Sequence, residues 1–182
     1  MNELQQLHPK TAKRGRSLLT ALLALPVAIG FLALVPSAAQ AATTADHCVV
    51  NLTRDEVTCA GSQTAALAAD EAAAAEVGIQ ATTVLIRLYD STNYDVNAGT
   101  RTFVVDGGYT CSAAYSPVEF SVDYLDAAGW SNRASSVHTY HSCDIRLFDG
   151  VTFNGDVSTW IDNLANLGTI GWANRAGSYQ IS

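Results

Sequence analysis

The chain has 182 residues and a formal net charge of −7 at pH 7. Without residues 1–41, which look like a leader, it keeps six arginines, no lysine and sixteen carboxylates, for a net charge of −10. So acidic a chain repels phosphate backbones and anionic lipid surfaces. The composition therefore argues against nucleic-acid and membrane-surface binding, and favours divalent cations or basic partners.

The N-terminal stretch predicts a secretory signal peptide over residues 1–41. Four basic residues precede the apolar run SLLTALLALPVAIGFLALVP, and small residues surround Ala41, where cleavage is expected. An uncleaved membrane anchor is the alternative, and Pro26 and Gly30 argue against it. We expect an extracellular protein that is free of the membrane after cleavage. An Ala-rich chain whose exported part lacks lysine is typical of a bacterial protein.

All four cysteines lie in the exported part, which predicts two disulfides. None belongs to a CxxC pair, and this argues against zinc and redox sites. Four cysteines allow three pairings. We expect Cys48–Cys59, which closes the hairpin CVVNLTRDEVTC, and therefore Cys111–Cys143.

The stretch SQTAALAADEAAAAEVG, residues 62–78, predicts one Ala-rich helix. Ser62 is suited to cap its start, alanine has the highest helix propensity, and Gly78 is placed to end it. The helix and the disulfide hairpin together make up a predicted N-terminal segment, residues 42–81.

From Thr82 onward, apolar and polar residues alternate, which predicts an all-β domain over residues 82–182. TTVLIRLY places Val84, Ile86 and Leu88 on one face, and VEFSVDYL alternates in the same way from Val118 to Tyr124. Such alternation is typical of half-buried strands in antiparallel sheets. Turn signals of the type DG and NG lie between these strands.

Two short motifs occur twice in this domain. GWSNRASS, residues 129–136, returns as GWANRAGS, residues 171–178, and IRLYD, residues 86–90, returns as IRLFD, residues 145–149. Repeated motifs in the same order indicate two copies of one structural unit. We place the units at residues 82–140 and 142–182, with GYTCSAAYSP as an insertion in the first.

These motifs resemble the Greek keys of the βγ-crystallin family. FDGVTFNG fits that family's aromatic-x4-aromatic-x-Gly signature, and YDSTNYDV fits it except at Val96, where glycine is expected. The resemblance implies a two-Greek-key β-sandwich of βγ-crystallin type, preceded by the short disulfide-closed hairpin and the helix. It also implies a folded hairpin in each key, formed by Tyr89 with Tyr94 and by Phe148 with Phe153 and Gly155.

The second repeated motif resembles the calcium stretch of microbial βγ-crystallins, which is Asn/Asp, Asn/Asp, two residues of any type, Ser/Thr and Ser. SNRASS departs from it at Ser131, and ANRAGS departs at Ala173 and Gly177. The resemblance implies two calcium sites with few charged ligands and with micromolar to millimolar affinity. The first combines Asn132, the Arg133 carbonyl and Ser135 with the Asp149 region, and the second combines Asn174 and Arg175 with the Asp90 region. The alternative is that each stretch is a turn that leads into a strand.

The sequence contains none of the common catalytic fingerprints such as GxSxG, HExxH or a P-loop. We therefore expect a protein without catalytic activity. Together with this expectation, the resemblance implies a calcium-binding structural module, which we expect to be monomeric. The alternative, also implied by the resemblance, is a secreted proteinase inhibitor of the metalloprotease type or a killer-toxin-like protein on the same fold. Its partner would be an extracellular protease, and the segment around Cys111 would be its contact loop.

Overall fold

The computed structural model describes residues 46–125 and 129–182, so the predicted signal peptide, residues 1–41, lies outside the described residues. Within these ranges no helix has the length and apolarity needed to cross a membrane. The ordered elements are the strands β1 (His47–Asn51), β2 (Glu56–Ala60), β3 (Thr82–Tyr89), β4 (Thr100–Asp106), β5 (Phe120–Val122), β6 (Ser136–Thr139), β7 (Ile145–Phe148) and β8 (Ser178–Ile181), and the helix α1 (Gln63–Glu76).

The strands form two sheets, ordered β2-β1-β4-β3-β6 and β5-β8-β7. The two repeated units exchange strands between these sheets. β5, from the first unit, pairs with β8 of the second, and Leu164 of the second unit forms a bridge to Val137 in β6. Each unit therefore contributes to both sheets, and the two units share one core.

The main core lies between the sheets and contains both tryptophans of the repeated motif. Trp130 and Trp172 are buried in it, together with Leu88, Leu147 and other apolar residues of the strands. Removing these side chains from water is the main contribution that such a core makes to stability.

One prediction about the core is wrong, because Val84 does not share a face with Ile86 and Leu88. A bulge interrupts the pairing of β3 with β4 between Val84 and Ile86. The extra residue reverses the alternation at that point. Val84 therefore packs with Val49 below α1, whereas Ile86 and Leu88 belong to the main core.

The N-terminal hairpin is part of the five-stranded sheet. β1 pairs with β2 in antiparallel fashion and with β4 in parallel, which places the hairpin beside the first Greek key. Cys48 and Cys59 face each other across the hairpin and form a disulfide, and Cys111 forms one with Cys143. Both predicted pairings are confirmed.

The predicted helix is also confirmed, with Ser62 accepting a hydrogen bond from the Ala65 amide at its start. Its buried face consists of small residues and Asp70. Arg54, in the turn of the hairpin, forms ion pairs with Asp70 and with Asp106 at the end of β4. A single guanidinium therefore ties the hairpin, the helix and the sheet together.

Candidate functional site

Both predicted aromatic corners are present. The ring centroids of Tyr89 and Tyr94 lie 5.7 Å apart and those of Phe148 and Phe153 lie 5.6 Å apart, each pair in an edge-to-face arrangement. Edge-to-face contacts suit the charge distribution of aromatic rings. Each hairpin after β3 and β7 is therefore folded over in the same way.

The last serine of each repeated motif fixes these folded hairpins. The buried Ser136 hydroxyl accepts a hydrogen bond from the Tyr94 amide (3.2 Å) and donates one to the Ser91 carbonyl (2.6 Å). Ser178 does the same in the second unit, with the Phe153 amide at 3.0 Å and the Gly150 carbonyl at 2.7 Å. These serines therefore have a structural role in both units.

The two hairpins differ at the position where the family signature has glycine. Gly155 has a φ of 81°, and a Cβ atom there would collide with the Asp149 carboxylate. Val96 instead begins a 3-10 turn, Val96–Ala98, which Asp95 caps by accepting a hydrogen bond from the Asn97 amide. The substitution therefore changes the local turn and leaves the aromatic corner in place.

The arginine of each repeated motif lies between a tryptophan and an aspartate. The Arg133 guanidinium is 4.8 Å from the Trp130 ring centroid and donates to the Asp90 carboxylate at 2.6 Å. We call this arrangement the first Trp–Arg–Asp clamp. It combines a cation–π contact with a charge-assisted hydrogen bond.

The second Trp–Arg–Asp clamp repeats this geometry. Arg175 is 4.8 Å from the Trp172 ring centroid, and it donates to Asp149 at 2.8 Å and to Asp156 at 2.9 Å. The hydrogen bond from Arg175 lowers the pKa of the Asp149 carboxylate below its usual range. Both aspartates that the resemblance assigned to calcium are therefore paired with a guanidinium.

The two predicted calcium stretches lie side by side and exchange hydrogen bonds. The backbone amide of Asn132 donates to the Ala176 carbonyl at 2.9 Å, and the backbone amide of Asn174 donates to the Ala134 carbonyl at 2.8 Å. Asn132 and Asn174 have φ values of 59° and 57°, in the left-handed region that asparagine tolerates better than most residues. The two copies of the sequence motif therefore have the same local structure, and they contact each other where the two units meet.

The structure groups the predicted site residues differently from the two sets implied by the resemblance. Ser135 and Asn174, which belonged to different sets, are in contact, because the Ser135 hydroxyl donates to the Asn174 side-chain oxygen at 2.9 Å. The ion pairs of Asp90 and Asp149, moreover, lie within each unit, with Arg133 and Arg175, and not across the units. The pseudo-symmetric packing of the stretches brings their second and fifth positions together.

The equivalent contact in the other direction would join Asn132 to residue 177, which is a glycine. A Cβ atom at Gly177 would lie 2.8 Å from the Asp149 carbonyl oxygen and 3.0 Å from the Gly150 carbonyl carbon. The backbone is therefore pressed against the second hairpin too closely for a side chain. Residue 177 therefore supplies no side-chain oxygen at the position equivalent to Ser135.

The contact between Ser135 and Asn174 fits calcium in part. Ca²⁺ takes roughly six to eight oxygen ligands, and hydroxyl and amide oxygens are suitable ones. Ser135 and Asn174 place two such side chains together, one from each unit. No group of three or more His, Cys, Asp or Glu side chains in the described part of the chain could hold a metal ion.

Sequence reasoning missed the side-chain role of Arg133 and Arg175, because it considered these residues only as calcium ligands. The signal was available, since the tryptophan, the arginine and the aspartate of each clamp all belong to repeated motifs.

The segment around Cys111 is exposed from Ser112 to Pro117, and in it Tyr115 stacks on Trp160 at 5.4 Å.

No protein-family model and no curated protein matches this chain. Among solved structures, a βγ-crystallin from Ciona intestinalis is similar at 17% identity, covering 56% of this chain and 100% of its own, with a TM-score of 0.38. A βγ-crystallin domain from Flavobacterium johnsoniae is similar at 18% identity, covering 54% of this chain and 93% of its own, with a TM-score of 0.37. The N-terminal domain of Protein S is similar at 17% identity, covering 54% of this chain and 94% of its own, with a TM-score of 0.37.

The fold can be stated from the contacts of this chain itself. The two aromatic corners are the features that the sequence motifs predicted, and they occur together with two serine-tied hairpins and an exchange of strands between the two sheets. The prediction of a βγ-crystallin-like fold is confirmed.

Proposed function

We propose that this protein is an exported, monomeric and non-catalytic structural module that binds calcium weakly at one place, the Ser135–Asn174 contact. The observation that carries the proposal is the 2.9 Å distance between these two side-chain oxygens, which come from different Greek keys. A cation bound to both would join the two keys and stabilise the folded state by mass action, by about 1–3 kcal/mol at saturation. The two disulfides support export to an oxidising compartment.

The two clamps explain why the affinity should be low. Arg133 neutralises Asp90 and Arg175 neutralises Asp149, so the nearby carboxylates contribute little net negative charge to the site. Calcium affinity depends on the number of charged ligands, and weak extracellular sites have dissociation constants on the order of 0.1–1 mM. We expect a value in that range.

The test is a calorimetric titration of calcium into protein stripped with a chelator, accompanied by melting curves. We expect saturable binding and a higher melting temperature, both of which Ser135→Ala should abolish. Ser121→Ala, an exposed serine on β5, is the matched control and should behave like the wild type. The absence of both heat and shift in the wild type would exclude the calcium site.

A second variant tests whether the Arg133 guanidinium lowers the calcium affinity of the site. Arg133→Gln releases the Asp90 carboxylate, so the site gains net negative charge. We expect calcium to bind about three- to tenfold more tightly to this variant. Unchanged affinity would show that Asp90 does not act on the bound ion.

A further inference from the structure

Arg101 is a buried arginine without a counter-charge among the described residues. It lies on β4 and is 3% exposed. Its Nε and Nη1 atoms are shielded from solvent and have no hydrogen-bond partner in the described part of the chain. Arg54, Arg133 and Arg175, by contrast, each pair with a carboxylate. A guanidinium stays charged inside proteins, so an unpaired one in the core is strongly unfavourable.

A second buried polar group close to Arg101 also lacks a partner. Tyr179, on β8, is fully buried against Phe103, and its hydroxyl forms no hydrogen bond with the described residues. Burial raises the pKa of Tyr179 well above its usual value, and the charge of Arg101 opposes this effect. Two unsatisfied donors thus face the same interior region, from different sheets.

Arg101 also lines a cavity of about 330 Å³. The volume is at the lower end of the range for small-molecule sites, roughly 300–1,000 Å³. Apart from Arg101, its walls are mainly apolar and come from the hairpin and from β5: Val50, Leu52, Val57, Phe120 and Val122. Asp55 and Asp123 are exposed lining residues, so they border its open side.

We propose that this cavity binds a small organic monocarboxylate with an apolar tail. Its carboxylate would accept hydrogen bonds from the Arg101 guanidinium, which would rotate to turn its shielded Nε and Nη1 atoms towards the ligand. The tail would lie against Val50, Val57 and Phe120. Asp55 and Asp123 at the open side repel a second negative charge, so monoanions are favoured over dianions. None of these residues belongs to the Ser135–Asn174 contact.

The probes are hexanoate and phenylacetate, titrated calorimetrically into the protein in chelator-containing buffer, so that calcium plays no part. We expect both to bind saturably and to raise the melting temperature. Hexanamide and hexylamine, which have a similar size without the negative charge, should bind about tenfold or more weakly. Equal binding of the amide and the carboxylate would contradict the proposal.

Two variants locate the site. Arg101→Met removes an unpaired buried charge, so it should fold at least as well as the wild type and bind hexanoate about tenfold or more weakly. Val57→Trp fills the cavity from a 45% exposed position and should also prevent binding, whereas Val151→Trp, at a 44% exposed position elsewhere, should not. If Arg101→Met fails to fold, Val57→Trp decides the question. Wild-type binding in both variants, or no binding to the wild type, would overturn the proposal.

Discussion

A single arginine in each Greek key contacts a tryptophan face and an aspartate at once. In the first key Arg133 joins Trp130, which lies in the core, to Asp90, which follows β3. A planar guanidinium suits this position because it stacks on a ring while its edge donates hydrogen bonds. The ammonium group of lysine has no plane and cannot stack on the ring while donating from an edge, which gives a physical reason for arginine at this place in both repeats.

The second clamp makes a prediction about acid. Because the Arg175 hydrogen bond lowers the pKa of Asp149, the native state favours the ionised carboxylate. The resulting stabilisation is present above the pKa that Asp149 has in the unfolded chain, and it is lost as the pH falls through the lowered native pKa. We expect NMR titration to show Asp149 ionising below the usual range of aspartate.

Arg175→Gln removes the cause and should return the pKa of Asp149 towards its usual range. Arg87→Gln, which changes an arginine that bonds Thr102 and Tyr140 elsewhere in the fold, is the control and should leave Asp149 unchanged. An Asp149 that titrates normally in the wild-type protein would contradict the assignment of the clamp.

At the scale of elements, the folded hairpins show what a local motif can and cannot predict. The spacing of Phe148, Phe153 and Gly155 predicted a folded hairpin, because this spacing reflects the geometry of one short segment. Ser178 was visible as part of a repeat, but its partners, the Phe153 amide and the Gly150 carbonyl, are 25 and 28 residues away. A hydrogen bond over that distance has no local sequence signature.

Ser178→Ala should destabilise the protein by about 1–3 kcal/mol, because the substitution removes a buried hydroxyl and leaves the Phe153 amide and the Gly150 carbonyl without their partner. Urea denaturation, followed by tryptophan fluorescence, measures the effect. Ser136→Ala removes the corresponding bonds in the first key and should have a similar effect. The control is Ser121→Ala, on the exposed face of β5. A loss no larger than that of the control would show that the serine does not hold the hairpin.

The bulge in β3 is a further limit on prediction. Alternation placed Val84 on the core face because it assumes an unbroken strand. Nothing in TTVLIRLY marks the extra residue between Val84 and Ile86. The bulge places Val84 in the layer below α1, whereas Leu88, which regular alternation would put on the same face, belongs to the main core.

At the scale of the whole molecule, the sequence indicated the sandwich but not how the N-terminal segment joins it. The repeats predicted two units, and cysteine spacing predicted the hairpin, since both signals are carried by the residues concerned. The parallel pairing of β1 with β4 depends on two strands that are separated in the sequence by two other strands and a helix. The grouping of Ser135 with Asn174 likewise depends on the packing of the two units.

Arg54 should be the residue on which this joining depends most. Arg54→Met would leave the buried Asp70 and the part-buried Asp106 without their common counter-charge, and we expect the free energy of unfolding to fall by about 3–5 kcal/mol. Hydrogen exchange should show the largest loss of protection in α1. Glu56→Gln, which removes the exposed partner of the same arginine, should change stability by less than about 1 kcal/mol. Similar losses in the two variants would contradict this role.

The hairpin also determines which backbone the five-stranded sheet offers to other molecules. β4 is buried along nearly its whole length. Without β1, the backbone amides and carbonyls on that side of β4 would be unpaired, and this edge of the sheet would be open to the addition of a strand from another molecule. β1 occupies that border, and the outermost strand becomes β2, which is five residues long and begins with the charged Glu56. A chain that lost its first sixty residues would therefore risk polymerisation more than simple unfolding. The segment therefore covers the border of the sandwich that would otherwise be open to strand addition.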